Sequence, residues 1–284
     1  MTQPSAVGIL AGGGPFPARV AAAATRAGRR VFIIAFEGYA DAEPIAGFPH
    51  EFVRLGAAGR MLALLRRHAC RELVLVGPVR RPSLVSLRPD AEGLRIVARI
   101  GRAAFAGDDG LLAAVVRVLA EEGFVVVGAH EILGEALGPA GLLSHASPDE
   151  QARADIVRGV AVVRALGSVD VGQACVVQHG CVLAVEAIEG TDGMLARAAG
   201  LLRSGPGGVL VKLVKPGQDR RADLPTIGPQ TILLADAAGL RGVAFEAGGT
   251  LITDRAACVA EADRLGLFLL GLDADVLAAP KRVE

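Results

Sequence analysis

The stretch Val7-Gly-Ile-Leu-Ala-Gly-Gly-Gly-Pro-Phe-Pro17, continued to Gly28 and then Val31-Phe-Ile-Ile-Ala-Phe36, decides how this chain folds. Val7 to Ala11 is a short, wholly apolar run, as expected of a strand covered on both faces. Gly12-Gly13-Gly14 breaks it. Alanine-rich sequence from about Pro15 to Ala27 then predicts a helix that stops at Gly28, and Val31 to Phe36 predicts the next strand, ending at Glu37. Strand, glycine turn, helix, strand is the opening of a parallel, doubly wound sheet.

The pattern continues outward. Ala57 to Ala69 reads as helix, Leu73 to Val76 as strand, and Gly77-Pro-Val-Arg-Arg-Pro82 as a rigid basic loop. After the Gly107-Asp108-Asp109 turn, Asp109 to Glu122 reads as helix and Phe124 to Gly128 as a fourth strand. In such sheets ligands bind outside the carboxyl ends of the strands. The triglycine, Glu37, the 77–82 loop and His130 all fall on that edge. The triglycine lacks a full dinucleotide fingerprint, because Pro17 stands where G-x-G-x-x-G needs its last glycine. It suits a phosphate or carboxylate through backbone N–H groups at a helix start.

From Leu133 to Ser147 periodicity fades, which predicts a linker. The expected organisation is therefore a Rossmann-like domain over 1–132, a linker over 133–147, and a second α/β domain with a mixed sheet over 148–284. Ser147-Pro148-Asp149-Glu150 predicts a helix start, with Ser147 as cap, running to about Leu166. Ala174 to Val177 and Val182 to Ala187 predict two strands about a tight turn at Gln178-His179-Gly180. Val243 to Phe245 and Thr250 to Ile252, around Gly248-Gly249, suggest a hairpin. Asp254 caps a helix to Leu265, and Leu267 to Leu270 reads as a last strand.

Composition narrows the function. The chain has 284 residues, enough for two cores, and its formal charge is zero, so it carries no electrostatic footprint for nucleic acid. Mean hydropathy is +0.45, yet charged residues interrupt each apolar run before membrane-spanning length. The N-terminal residues do not read as a signal peptide, and Cys70, Cys175, Cys181 and Cys258 show neither CxxC nor zinc spacing. Reduced core cysteines in a cytoplasmic protein are expected.

Chemistry concentrates at Lys212-Leu-Val-Lys-Pro-Gly-Gln-Asp-Arg-Arg-Ala-Asp-Leu-Pro-Thr-Ile-Gly228. Val209 to Val214 reads as a buried strand ended by Pro216, and Gly228-Pro229 opens a helix over Gln230 to Ala238. Only three of the chain's 30 basic residues are lysines, and two of them, Lys212 and Lys215, stand three positions apart here. A lysine is a compact point charge and a usual phosphate ligand. Beside them lie Asp219, Arg221 and Asp223, so cations for phosphate oxygens and carboxylates for a hard cation share one loop. A second stretch, Val185 to Met194, carries Glu186 within an apolar strand, where a carboxylate is costly unless a cation or hydrogen bonds compensate it. Glu189 follows, and Thr191 caps a helix to Leu202.

Val185-Glu-Ala-Ile-Glu-Gly-Thr-Asp-Gly-Met-Leu195 and Lys212-x-x-Lys-Pro-x-Gln-Asp-x-Arg-x-Asp-x-Pro-Thr-Ile-Gly228 resemble the LpxI-type UDP-2,3-diacylglucosamine pyrophosphatases of lipid A synthesis. Leu10-Ala-Gly-Gly-Gly-Pro-Phe-Pro17, the 77–82 loop, Gly107-Asp-Asp109 and Gly128-Ala-His-Glu131 are similar to that family in the same order. The resemblance implies a two-domain hydrolase that, with Mg²⁺, yields UMP and 2,3-diacylglucosamine 1-phosphate (lipid X), water attacking the phosphorus on the sugar side and lipid held between the domains. It ties catalysis most closely to Asp223.

The residues themselves leave Asp223 either as metal ligand or as the group that orients the water. Lys212, Lys215 and Arg221 are expected to neutralise the pyrophosphate, with Gln218 and Thr226 as hydrogen-bonding supports and Thr191 as a further substrate-binding candidate. Gly12, Gly13, Gly14, Gly77, Arg80 and Arg81 are the substrate-binding candidates of the first domain. Glu186, Glu189, Asp108 and Asp109 are the further metal candidates, with ribose contacts as their alternative role. The expected partner is the lipid-linked nucleotide sugar, met in transient contact with the inner membrane surface, by a protein that is peripheral there and homodimeric. A nicotinamide-dependent oxidoreductase and a non-catalytic nucleotide-sugar binder are the alternatives.

Overall fold

Alternation along the first two strands sorts their side chains onto two faces of one sheet, which is why both are apolar throughout. The computed structural model describes residues 6–80, 87–101, 108–134 and 136–278. The chain divides into two compact units, one of residues 1–134 with 219–223, the other of 135–218 with 224–284.

The first unit contains β1 (Ala6–Ala11), α1 (Phe16–Arg26), β2 (Val31–Phe36), α2 (Ala42–Ile45), β3 (His50–Val53), α3 (Ala58–Arg67) and β4 (Cys70–Val76). It continues with α4 (Ala91–Ile100), α5 (Asp108–Glu121), β5 (Val125–Val126) and α6 (Ala129–Leu133). The strands form a five-stranded sheet in the order β3-β2-β1-β4-β5, parallel throughout. Val7, Ile9, Ala11, Ile33 and Ala35 pack with Val20, Ala21 and Ala24 of α1 on one face. Leu10, Phe32 and Ile34 pack with Leu62 and Leu65 of α3 and Val116 and Leu119 of α5 on the other. This is the doubly wound architecture expected.

Two details differ. The edge strand β3 has no counterpart in the sequence reading, so β5 is the fifth strand rather than the fourth. Of the strand expected over Phe124 to Gly128, only Val125–Val126 join the ladder.

The second unit contains β6 (Gly141–Leu142), α7 (Glu150–Ser168), β7 (Ala174–Gln178), β8 (Cys181–Val185), α8 (Gly190–Ala198) and β9 (Val209–Lys212). It closes with β10 (Thr226–Ile227), α9 (Pro229–Ala237), β11 (Gly242–Glu246), β12 (Leu251–Ile252), α10 (Arg255–Leu265), β13 (Phe268–Leu272) and α11 (Ala274–Ala278). Its main sheet runs β6-β13-β11-β9-β7-β8 and is mixed: β13, β11 and β9 are parallel, whereas β6, β7 and β8 pair antiparallel to their neighbours. Helix α7 covers one face through Ile156, Val160 and Val163. Met194 and Leu195 of α8, Ile232 of α9 and Cys258 of α10 cover the other.

Several local expectations are corrected here. Val243 to Ile252 is not a hairpin: β11 lies between β9 and β13, so both its edges are taken, and β12 pairs instead with β10 in a separate two-stranded ladder. The cap of α7 is Asp149, whose carboxylate accepts the Ala152 N–H at 2.8 Å, not Ser147. Within the stretch read as a linker, Gly141–Leu142 adds an edge strand beside β13. The β9 ladder closes at Lys212, before Pro216. Beyond it the Val214 N–H is accepted by the Glu246 carboxylate at 3.2 Å. The β7–β8 turn holds His179 and Gly180 at φ 50° and 73°, the left-handed pair of a two-residue hairpin.

Candidate active site

In the second unit, Lys212 is the last residue of a strand flanked on both sides by others, so its side chain starts deep in the sheet and is only 5% exposed. Its ammonium donates to Thr191 Oγ1 at 2.8 Å and to the Thr226 carbonyl oxygen at 3.0 Å. Thr191 in turn donates to Glu186 Oε1 at 2.9 Å, and Glu186 Oε2 accepts the Gln173 N–H at 3.4 Å. Lys212, Thr191, Thr226 and Glu186 are thus brought together from four segments.

Two sequence assignments change here. Glu186 lies one residue past the end of β8 rather than inside the strand. Thr191 lies inside α8, after Glu189 at the cap position, and spends its hydroxyl on Glu186 instead of capping.

Lys215 is buried and turned to a carboxylate that sequence reasoning did not single out: its Nζ lies 2.6 Å from Asp170 Oδ1. Gln218 Oε1 accepts the Lys215 N–H at 3.0 Å, closing the loop on itself. Thr226 Oγ1 donates to the Leu224 carbonyl at 3.2 Å while its own carbonyl receives Lys212. Glu189 pairs with Arg197, and its carboxyl is held below the ordinary range by its own backbone N–H and by that guanidinium.

Residues 219–223 group with the first unit, where Ala222 packs against the cluster that includes Leu10, Phe36 and Val53. The Arg221 guanidinium forks onto Asp219, with Nε to Oδ1 at 2.9 Å and Nη2 to Oδ2 at 2.7 Å. That fork holds the Asp219 carboxyl below its ordinary value, and the field of Glu131 adds to Asp219 in stabilising the charged guanidinium. Asp223 ends the turn, its N–H donating to the Asp219 carbonyl at 3.1 Å and its side chain half-buried.

The glycine turn of the first unit is a close backbone crossing. A Cβ added at Gly12 would lie 2.4 Å from the Gly77 carbonyl oxygen, and Gly77 itself sits at φ 87°. The N–H groups of Gly12 and Gly13 donate to the carbonyls of Val76 and Pro78 at 2.8 and 3.0 Å, and that of Gly14 to Asp41 Oδ2 at 2.8 Å. The three donors that the sequence reading held open for an anion are therefore engaged within the unit. Pro15 and Pro17 carry no N–H, which thins the donors of the helix start further. Arg80 is exposed, and its carbonyl accepts the Tyr39 hydroxyl at 3.1 Å. Asp109 is half-buried in the first turn of α5. Arg81, Gly107, Pro82 and the side chain of Asp108 lie outside the described residues.

Among the described residues no group of three His, Cys, Asp or Glu side chains is gathered as a metal site. Of the metal candidates, Glu186 and Glu189 belong to the second unit and Asp109 and Asp223 to the first. Asp170 and Glu246 are the carboxylates missed. Asp170 follows a helix end at φ 55°, a position that favours Asp and Asn, which was the available signal.

The chain is thus an α/β protein of two units, the second of which holds a buried lysine ammonium bonded to a hydroxyl and a backbone carbonyl. Residues 6–136 match the LpxI N-terminal domain and residues 139–270 the LpxI C-terminal domain. The chain is 43% identical over 273 residues to UDP-2,3-diacylglucosamine pyrophosphatase LpxI of Caulobacter vibrioides, covering 94% of this chain and 97% of that protein. The chain belongs to the LpxI family.

Solved structures resemble it only distantly. A glycinamide-RNase-transformylase T from Mycobacterium tuberculosis shares 18% identity over 64% of this chain and 44% of its own, with a TM-score of 0.24. A UDP-glucose-4-epimerase from Stenotrophomonas maltophila shares 13% over 98% and 96%, with a TM-score of 0.30. Neither likeness carries an argument.

Proposed function

We propose that this protein is a UDP-2,3-diacylglucosamine pyrophosphatase of lipid A biosynthesis, releasing UMP and 2,3-diacylglucosamine 1-phosphate with the help of Mg²⁺. The observation that carries the reading is the near end-to-end match to the Caulobacter pyrophosphatase, 43% identical over 94% of this chain. The site chemistry supports it: a buried, hydrogen-bonded ammonium at Lys212 offers fixed positive charge of the kind that stabilises phosphate oxygens.

Mg²⁺ commonly binds one or two carboxylates together with substrate phosphate oxygens, so it does not need an all-protein cage. The donors present suit that mode and not a cage, given that Glu189 and Asp219 are neutralised by arginines and no acidic trio forms among the described residues. Asp223 is the residue assigned to hold the ion or to orient water. When bound, the ion would polarise phosphorus and favour ionised water.

In the reaction, water oxygen bonds to the sugar-side phosphorus, the bond from that phosphorus to the bridging oxygen breaks, UMP leaves with that oxygen, and the proton lost by the water passes to solvent. Lys212 counters charge on the phosphate oxygens. Arg221, fixed in its fork with Asp219, and Lys215, tied to Asp170, shape the loop around Asp223. The substrate's acyl chains imply contact with a membrane surface; no helix among the described residues is long and apolar enough to cross a membrane. A homodimer completes the proposal.

The nicotinamide alternative loses support from the glycine turn, where Asp41 already occupies the Gly14 N–H. The test is release of UMP from the lipid nucleotide, with Mg²⁺ and with chelator. Activity undiminished by chelator would remove the metal from the account, and no UMP would remove the activity.

A further inference from the structure

We propose that Glu186 is a positioning residue that aims the Lys212 ammonium through the Thr191 hydroxyl, and that it does not bind metal. This rests on the pyrophosphatase reading and deepens it. Glu186 is 6% exposed and Lys212 5%, so each charge needs partners inside the second unit.

The partners form a directed chain. A threonine hydroxyl has one proton and two lone pairs. Because Thr191 gives its proton to Glu186 Oε1, its lone pairs are left for Lys212, whose Nζ lies 2.8 Å away. The second bond of that ammonium, to the Thr226 carbonyl, fixes it from another side.

The main chain at Glu186 is itself held in place. Its N–H donates to the Ala174 carbonyl at 2.9 Å, and Gly172 runs so close that an added Cβ would meet the Glu186 carbonyl oxygen at 2.0 Å. A hydroxyl bonded to a carboxylate that also accepts the Gln173 N–H presents one geometry, whereas an unclamped hydroxyl can turn its proton towards the ammonium and repel it. An ammonium one hydroxyl away from the carboxylate also makes the place unfavourable for a divalent cation.

The experiment uses the purified full chain and UDP-2,3-diacylglucosamine, with kcat, KM, half-activating Mg²⁺ concentration and thermal midpoint measured for each variant. Thr191→Val should lower kcat about 10- to 100-fold with KM within about threefold, and Thr191→Ser should stay within about threefold of the parent. Glu186→Gln should lower kcat about 3- to 10-fold and leave half-activating Mg²⁺ within about twofold. In the Thr191→Val background it should cost nothing further, because the link is already cut. Thermal midpoints should stay within about 3 °C.

If the two losses multiply in the double variant, if Thr191→Ser is as damaged as Thr191→Val, or if Glu186→Gln raises the Mg²⁺ requirement about tenfold, the inference is wrong. A Glu186→Gln midpoint that collapses in step with kcat overturns it as well. Should Thr191→Val fail to fold, Glu186→Gln and Thr191→Ser still decide through the Mg²⁺ requirement and the rescue. A parent protein that forms no UMP would instead defeat the pyrophosphatase reading beneath it, an outcome distinct from all of these.

Discussion

Lys215 Nζ lies 2.6 Å from Asp170 Oδ1, with the lysine side chain 9% and the aspartate 24% exposed, so the start of the 212–228 loop is pinned by a largely buried ion pair 45 positions apart in sequence. Replacing Asp170 by a neutral side chain removes the charge 2.6 Å from a buried ammonium. Asp170→Asn should therefore cost about 1–3 kcal/mol of stability, read as a lower urea midpoint, and loosen the loop that carries Asp223. An unchanged midpoint would show the pair to be ornamental.

The Asp219–Arg221 fork makes a pH prediction. Asp219 has a folded pKa below its ordinary value of 3.8, chiefly through the Arg221 side chain. A depressed carboxyl stabilises the fold above the unfolded pKa and loses that contribution as pH falls through the folded one, so the window lies below about pH 4. In Arg221→Gln the Asp219 carboxyl should titrate nearer its ordinary value, followed by carboxyl-carbon NMR. No change would mean that the guanidinium is not what holds it.

Gly12 is a steric demand more than a conformational one. Its nearest neighbours are the backbone oxygens of Gly77 and Pro78, 2.4 and 2.6 Å from an added Cβ, and backbone cannot rotate away as a side chain can. Gly12→Ala should lose about 1–3 kcal/mol, measured by thermal or urea unfolding, with the larger effect expected if β1 and β4 are forced apart.

Cysteine reactivity should divide by burial. Burial raises Cys175 to about 12 and Cys70 to about 11, and Cys258 is also buried. Cys181 is half-buried, with Arg203 Nη1 3.0 Å from its sulfur. At pH 8 a disulfide reagent should label Cys181 first and the other three only on unfolding. Rapid labelling of Cys175 would contradict the packing of α7 on its sheet.

The parts of this fold legible from sequence are those where one local signal suffices. β1 and β2 are buried on both faces, so unbroken apolar runs announce them. β3, His50-Glu-Phe-Val53, is an edge strand with mixed polarity, and nothing local marks it. The false hairpin at 243–252 arose because a glycine turn between two apolar runs looks alike whether the runs pair with each other or with strands far off in sequence. At the site, residue types pointed to Lys212, Lys215, Thr191 and Glu186. Their partners could not be read, since the Lys212–Thr191 and Lys215–Asp170 bonds are made only once the second unit's sheet has assembled.

The proposed chemistry centres on Asp223, and one measurement reaches it most directly: UMP formation by Asp223→Ala beside the parent protein, on UDP-2,3-diacylglucosamine with Mg²⁺. The account predicts a folded variant that still binds the lipid nucleotide and loses at least about 10³-fold in turnover, the scale expected when a group acting on the reacting atoms is removed. Turnover near that of the parent would contradict it.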